Sequence, residues 1–181
     1  MSARLAPHDP PYGPELQAFF DRVMPAGVPP LVLFTTLARD ARLFERFRGG
    51  GLLDKGHLTL RQREIVIGRV TAQCSCEYEW GVHVAFFAER AGLDGVMQRS
   101  MVFGSGEDPC WTDAERAIIR ACDQLHATAD LSDAAWQDLR QHVSEMAAVE
   151  IIMLAGFYRT VSYLTNGLRL PLETFAKRFP R

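Results

Sequence analysis

Apolar residues recur along most of this chain at intervals of three and four, the spacing of one helix face, and no stretch alternates with period two between turn signals. The pattern predicts an all-α domain of roughly seven to eight helices. Residues 1–13 are rich in proline and polar groups and read as an extended arm; 14–181 read as one domain. Pro14 is placed to open a first helix with Leu16, Phe19, Phe20 and Val23 on one side. Pro25, Gly27, Pro29 and Pro30 break that pattern. A second helix is expected over 31–47, striped by Leu33, Leu37, Phe44 and Phe47, and Gly49, Gly50 and Gly51 stop it.

Thr59 and Gln62 have the spacing of a capping box, so a third helix starts there and carries Glu64, Ile65, Ile67 and Val70 toward Gln73. A fourth begins close to Cys76 and runs to Ala91, with Gly92 closing it. A short helix over 93–100 and a loop over 104–109 follow. Thr112 and Glu115 form a second capping box, opening a helix through His126 that turns Ile118, Ile119, Cys122 and Leu125 inward. Ser132 caps a shorter helix to His142. The last helix, 146–168, is apolar on most sides (Val149, Ile151, Ile152, Leu154, Phe157, Val161, Leu164), as expected of a helix central in the core or at a subunit interface.

Composition narrows the function classes. The chain has 181 residues, 48% hydrophobic and 23% charged, with a net charge of −2 and the two signs interspersed. There is no basic stripe to bind nucleic acid. No apolar run is expected to reach membrane-spanning length, and the first residues lack a signal-peptide core, so the expected location is cytoplasmic. In that compartment Cys74, Cys76, Cys110 and Cys122 stay reduced rather than forming a disulfide framework. No second cysteine pair or histidine cluster stands at ligand spacing, so no metal is expected.

The chemistry concentrates in EIVIGRVTAQCSCEYEWGVH, Glu64 to His83. Cys76, Glu79 and His83 stand at i, i+3 and i+7, on one helix face. Cys76 opens a helix, where the dipole favours a thiolate; it is equally readable as a small buried hydrophobe. His83 suits a general base or relay, or a histidine held by its i+4 neighbour Glu79. Glu64 lies among apolar residues, which suits a buried carboxylate, or on a solvated surface paired with Arg61 or Arg63. Trp80 lies about 40° from the Cys76 face and is a candidate pocket wall or a core residue. Tyr158 and Arg159 are candidates to line a cavity between helices. Cys110 and Cys122 read as structural, and His57, His126 and His142 as surface residues.

The pattern Glu64, eleven residues, Cys76, two residues, Glu79, three residues, His83 resembles the carboxymuconolactone decarboxylase and alkyl hydroperoxidase D superfamily. TLRQREIVIGRV, WTDAERAIIRACDQLH and AVEIIMLAGFYRTVSYLTNGLRLPLE carry the resemblance along nearly the whole chain. It implies an orthogonal helical bundle that assembles as a homo-oligomer (dimer, trimer or hexamer), with Cys76, His83 and Glu64 as redox thiol, relay histidine and relay glutamate. The peroxidase branch has a second cysteine where this chain has Glu79, so its disulfide has no counterpart at 76 and 79. The EYEW run resembles a branch labelled only as carboxymuconolactone decarboxylase-like.

Three functions follow. One is acid–base, decarboxylase or lyase-type chemistry on a small organic acid or lactone by Glu64, Glu79 and His83, with no cofactor. A second is a thiol peroxidase in which Cys76 attacks peroxide and Cys74 or an external thiol resolves it. The third is a non-catalytic, ligand-binding oligomer.

Overall fold

Eight consecutive residues, Glu64–Thr71, are buried in the middle of one helix, and the rest of the chain is organised around them. The structure is a computed structural model describing residues 3–181; it contains nine α-helices and no strand among those residues. They are α1 (Pro14–Val23), α2 (Val32–Leu37), α3 (Ala41–Arg48), α4 (Leu60–Gln73), α5 (Glu77–Ala91), α6 (Gly95–Phe103), α7 (Asp113–Thr128), α8 (Asp133–His142) and α9 (Glu145–Leu168).

Helix α4 packs against α5, α6, α7 and α9. Gly68 allows that closeness to α6, since a Cβ there would stand 2.7 Å from Met101 Sδ. Arg69, itself buried, donates to both carboxylate oxygens of Asp123 in α7 and to the carbonyls of Met101 and Gly104. A buried guanidinium is tolerated because its donors are used.

Helix ends follow local chemistry. Both capping boxes form, Thr59 with Gln62 and Thr112 with Glu115. Asp94, Ser132 and Ser144 each accept a backbone N–H of the first turn that follows. The single helix expected over 31–47 is two: Asp40 turns extended, accepts the N–H of Leu43 and caps a new helix. A strong cap inside an apolar stripe outweighs the stripe's periodicity.

Helix α9 is 24 residues long, with a window of mean hydropathy 1.3. By length and composition it could cross a membrane, which corrects the expectation that no run reaches that size. Its apolar positions are split between a buried side (Ile151, Leu154, Val161) and an exposed one (Val149, Ile152, Met153).

Both chain ends lie along the bundle. The N–H groups of Arg4 and His8 donate to the carbonyls of Leu168 and Thr35. After α9 the chain straps across α5: Lys177 N–H donates to Gly81 O at 3.0 Å, and Phe179 N–H to Glu77 Oε1. Phe175 stacks on Phe86, and Phe179 packs edge-on against Trp80.

Candidate functional site

The turn between α4 and α5 brings Glu64 and His83 together. Ser75 adopts a left-handed conformation (φ 51°), Cys76 N–H donates to Thr71 O and Ser75 N–H to Ala72 O. Those two bonds are a Schellman closure with serine where glycine is usual. The chain reverses at once, so α5 runs back along α4, and the side chains nineteen positions apart meet.

Glu64 and His83 are 4% and 6% exposed. Glu64 Oε2 lies 2.7 Å from His83 Nδ1. Glu64 Oε1 accepts from Arg63 Nε at 3.0 Å and Nη2 at 2.9 Å. On its far side, His83 Nε2 lies 3.0 Å from the Tyr158 hydroxyl and 3.4 Å from Glu79 Oε1. Burial alone would keep this imidazole neutral; the charges and hydrogen bonds of Glu64 and Glu79 outweigh it and raise its pKa to about 9. His83 is therefore an imidazolium at neutral pH, donating from both nitrogens. Burial, with Glu79 and Glu64 close by, holds the Tyr158 phenol protonated.

Glu79, His83 and Tyr158 line a cavity of about 390 Å³. Its other walls are mainly aromatic: Phe34 and Phe47 from α2 and α3, Phe86 and Phe87 from α5, Phe157 from α9. The Phe87 ring lies 5.3 Å from the His83 ring and takes the guanidinium of Arg63 at 5.2 Å. Arg22, Arg48 and Asp54, all exposed, also line it. Glu64 stands behind His83, outside the cavity wall.

Cys76 occupies the N-cap of α5, but its thiol is fully buried and is not part of the cavity wall. Its Sγ sits 3.1 Å from Thr165 Oγ1 of α9. Burial pushes the thiol's pKa up, opposite to the direction expected from the helix terminus alone. Desolvation by α9 outweighs the favourable hydrogen bonds. All four cysteines are unpaired thiols; Cys122 is buried and pushed up to about 12.

Glu64 combines both expectations: it is paired with Arg63, yet buried. Glu64, Glu79 and His83 converge as the spacing implied, but Cys76, expected on the same face, is turned to Thr165 and does not join them at the cavity. Trp80 does not wall the cavity; it is a core residue against Phe179, with Gly68 behind it. Tyr158 reaches this cavity; Arg159 lines a separate one between α7 and α9, where it donates to the His126 carbonyl and the Tyr163 hydroxyl. His126 is half-buried rather than a surface residue. Sequence reasoning missed the phenylalanine walls. Phe87 was within reach, one turn after His83, but Phe34, Phe47 and Phe157 meet only in the fold.

Residues 41–124 match the model of the carboxymuconolactone decarboxylase family. Among solved structures, an uncharacterized peroxidase-related protein from Silicibacter sp. TM1040 superposes with a TM-score of 0.83 at 19% identity, covering 98% of this chain and 96% of that one. The debrominase Bmp8 gives 0.79 at 18% identity, over 97% and 95%. A putative antioxidant defence protein from Agrobacterium tumefaciens gives 0.68 at 21%, over 75% and 93%. At these identities the neighbours speak for the fold alone; the family match over residues 41–124 bears out the superfamily read from the motif. No curated protein matches the sequence.

Proposed function

With residues 41–124 assigned to the carboxymuconolactone decarboxylase family, we propose that the protein catalyses acid–base, decarboxylase or lyase-type chemistry on a small organic acid or lactone held in the aromatic cavity. The observation that carries this reading is the chain of groups from Glu64 through His83 to Tyr158 and Glu79. It ends on the cavity wall, while Cys76 is sealed away from it. Glu64 holds the imidazolium charge, and His83 sits between a phenol and a carboxylate. These groups can deliver a proton to a developing carbanion or enolate, or take one up. A cysteine-to-alanine variant of Bmp8 is described in complex with 2,3,4-tribromopyrrole; a small flat ring in that protein agrees with the aromatic walls here.

The reading is tested in deuterium oxide with a panel of small ring lactones and unsaturated acids, following deuterium uptake and loss of carbon dioxide by mass spectrometry. Turnover that His83→Ala abolishes supports it. A panel without turnover, beside rapid oxidation of Cys76 by peroxide, would transfer the site to thiol chemistry.

That second reading, a thiol peroxidase using Cys76 with Glu64 and His83 as relay, draws support from the peroxidase-related neighbours. It requires the Cys76 pocket to open, since the thiol is buried and its pKa raised. The proposal places the chain in the cytoplasm as a homo-oligomer. The exposed Met146, Val149, Ile152, Met153 and Tyr163 of α9 are the apolar strip that a second copy would cover.

A further inference from the structure

One carboxylate oxygen of a cavity-lining residue is unsatisfied. Glu79 is 6% exposed, and its Oε1 has only the 3.4 Å approach to His83 Nε2. Its Oε2 is buried and accepts no hydrogen bond from any described residue. A buried carboxylate oxygen left so is costly, and a donor that reaches it recovers that cost. The remaining groups facing it fix what the donor can be. His83 already has carboxylates on both of its nitrogens, Glu64 and Glu79. A third carboxylate at this end would meet like charge. The cations of the cavity, Arg22 and Arg48, are exposed, and Arg48 is engaged by Glu45. The walls between are phenylalanine rings, suited to a flat π face.

We propose that the cavity selects a small, flat ring that carries no charge at its inner end and whose O–H or N–H there donates to the Glu79 carboxylate. This rests on the cavity being the working site of the proposed function, and it specifies which end of the ligand enters first. With the imidazolium donating from Nε2 to the Tyr158 oxygen, the Tyr158 O–H is left to donate to an acceptor on the same ring. The inner end of the cavity thus reads one donor and one acceptor side by side.

Three probes of similar size separate the possibilities at pH 7: phenol, a neutral donor; anisole, the same ring without the donor; and benzoate, an anion. Binding is followed by NMR, using the methyl groups of Val82 and Val161, both on the cavity wall, to locate the ligand. The expected result is phenol binding about tenfold or more tightly than anisole, the difference of one hydrogen bond to a buried carboxyl group, with benzoate weakest. Glu79→Met, which keeps the length and removes the acceptor, should erase the phenol–anisole difference while both still bind. Equal binding of phenol and anisole, a preference for benzoate, a selectivity that survives in Glu79→Met, or no binding of any probe at this site would each overturn the proposal. Because binding is read without turnover, the donor preference can fail while His83-dependent deuterium exchange persists, and the reverse, so the two readings fall separately.

Discussion

Replacing Glu64 by glutamine should change how stability depends on pH. In the native protein His83 holds its proton up to about 9, against an ordinary value of 6.5, because Glu64 and Glu79 outweigh burial. A folded-state pKa above the unfolded one means stability that is fully present below pH 6.5 and lost as pH rises through 9. At about 1.4 kcal/mol per pH unit, the gap corresponds to about 3 kcal/mol. Glu64→Gln removes the larger charge while leaving shape, and burial then pulls the imidazole toward its neutral form. It also strips Arg63 of its carboxylate, so the variant should be less stable by about 3–5 kcal/mol near neutral pH and below. The assay is urea denaturation of both proteins at intervals from mildly acidic to mildly alkaline pH. Buried thiols such as Cys122 withdraw stability above their reference value of 9.0 in both proteins, so the difference between the two curves is what reads His83. That difference should shrink by most of its size between pH 6.5 and 9. Parallel curves would refute the reasoning, because they would mean that Glu64 does not hold the proton on His83.

Other expectations follow from the same geometry. A thiol reagent should modify the half-buried Cys74 and Cys110 in native protein and reach Cys76 only after denaturation; fast native labelling of Cys76, followed by peptide mass, would overturn its burial. Gly81→Ala should free the C-terminal strap, since a Cβ there would overlap the carbonyl oxygen of Lys177, and hydrogen exchange at Lys177 and Phe179 should rise. Asp40→Ala should lower stability by about 1 kcal/mol in urea denaturation by uncapping α3. If α9 mediates self-association, Met153→Glu should shift sedimentation velocity toward monomer, and an unchanged profile would place any interface elsewhere.

Much of this architecture was legible in the chain because it is local. Capping boxes at Thr59 and Thr112, the Gly92 closure and the i+4 pairing of Glu79 with His83 involve neighbours in sequence, so spacing reveals them. Even the long contact between Glu64 and His83 was foreshadowed, because both lie on strongly patterned helices joined by a short turn. The fate of Cys76 was not legible. Its position at a helix start suggested a thiolate, but its chemistry is set by Thr165, 89 residues later, and by the burial that α9 imposes. The cavity was hidden for the same reason, with phenylalanines drawn from α2, α3, α5 and α9. Trp80 illustrates the opposite error: angular nearness to a site on one helix says nothing of which neighbour covers that angle.

The most direct test of the account compares two variants on whichever substrate the deuterium panel returns. Cys76→Ser keeps a hydroxyl partner for Thr165 and leaves the cavity wall untouched; Glu79→Gln alters the wall and its contact with His83. The account predicts turnover close to native in Cys76→Ser and a loss of about a hundredfold or more in Glu79→Gln. Activity that disappears with Cys76 and survives at Glu79 would contradict it and return the chemistry to the buried thiol.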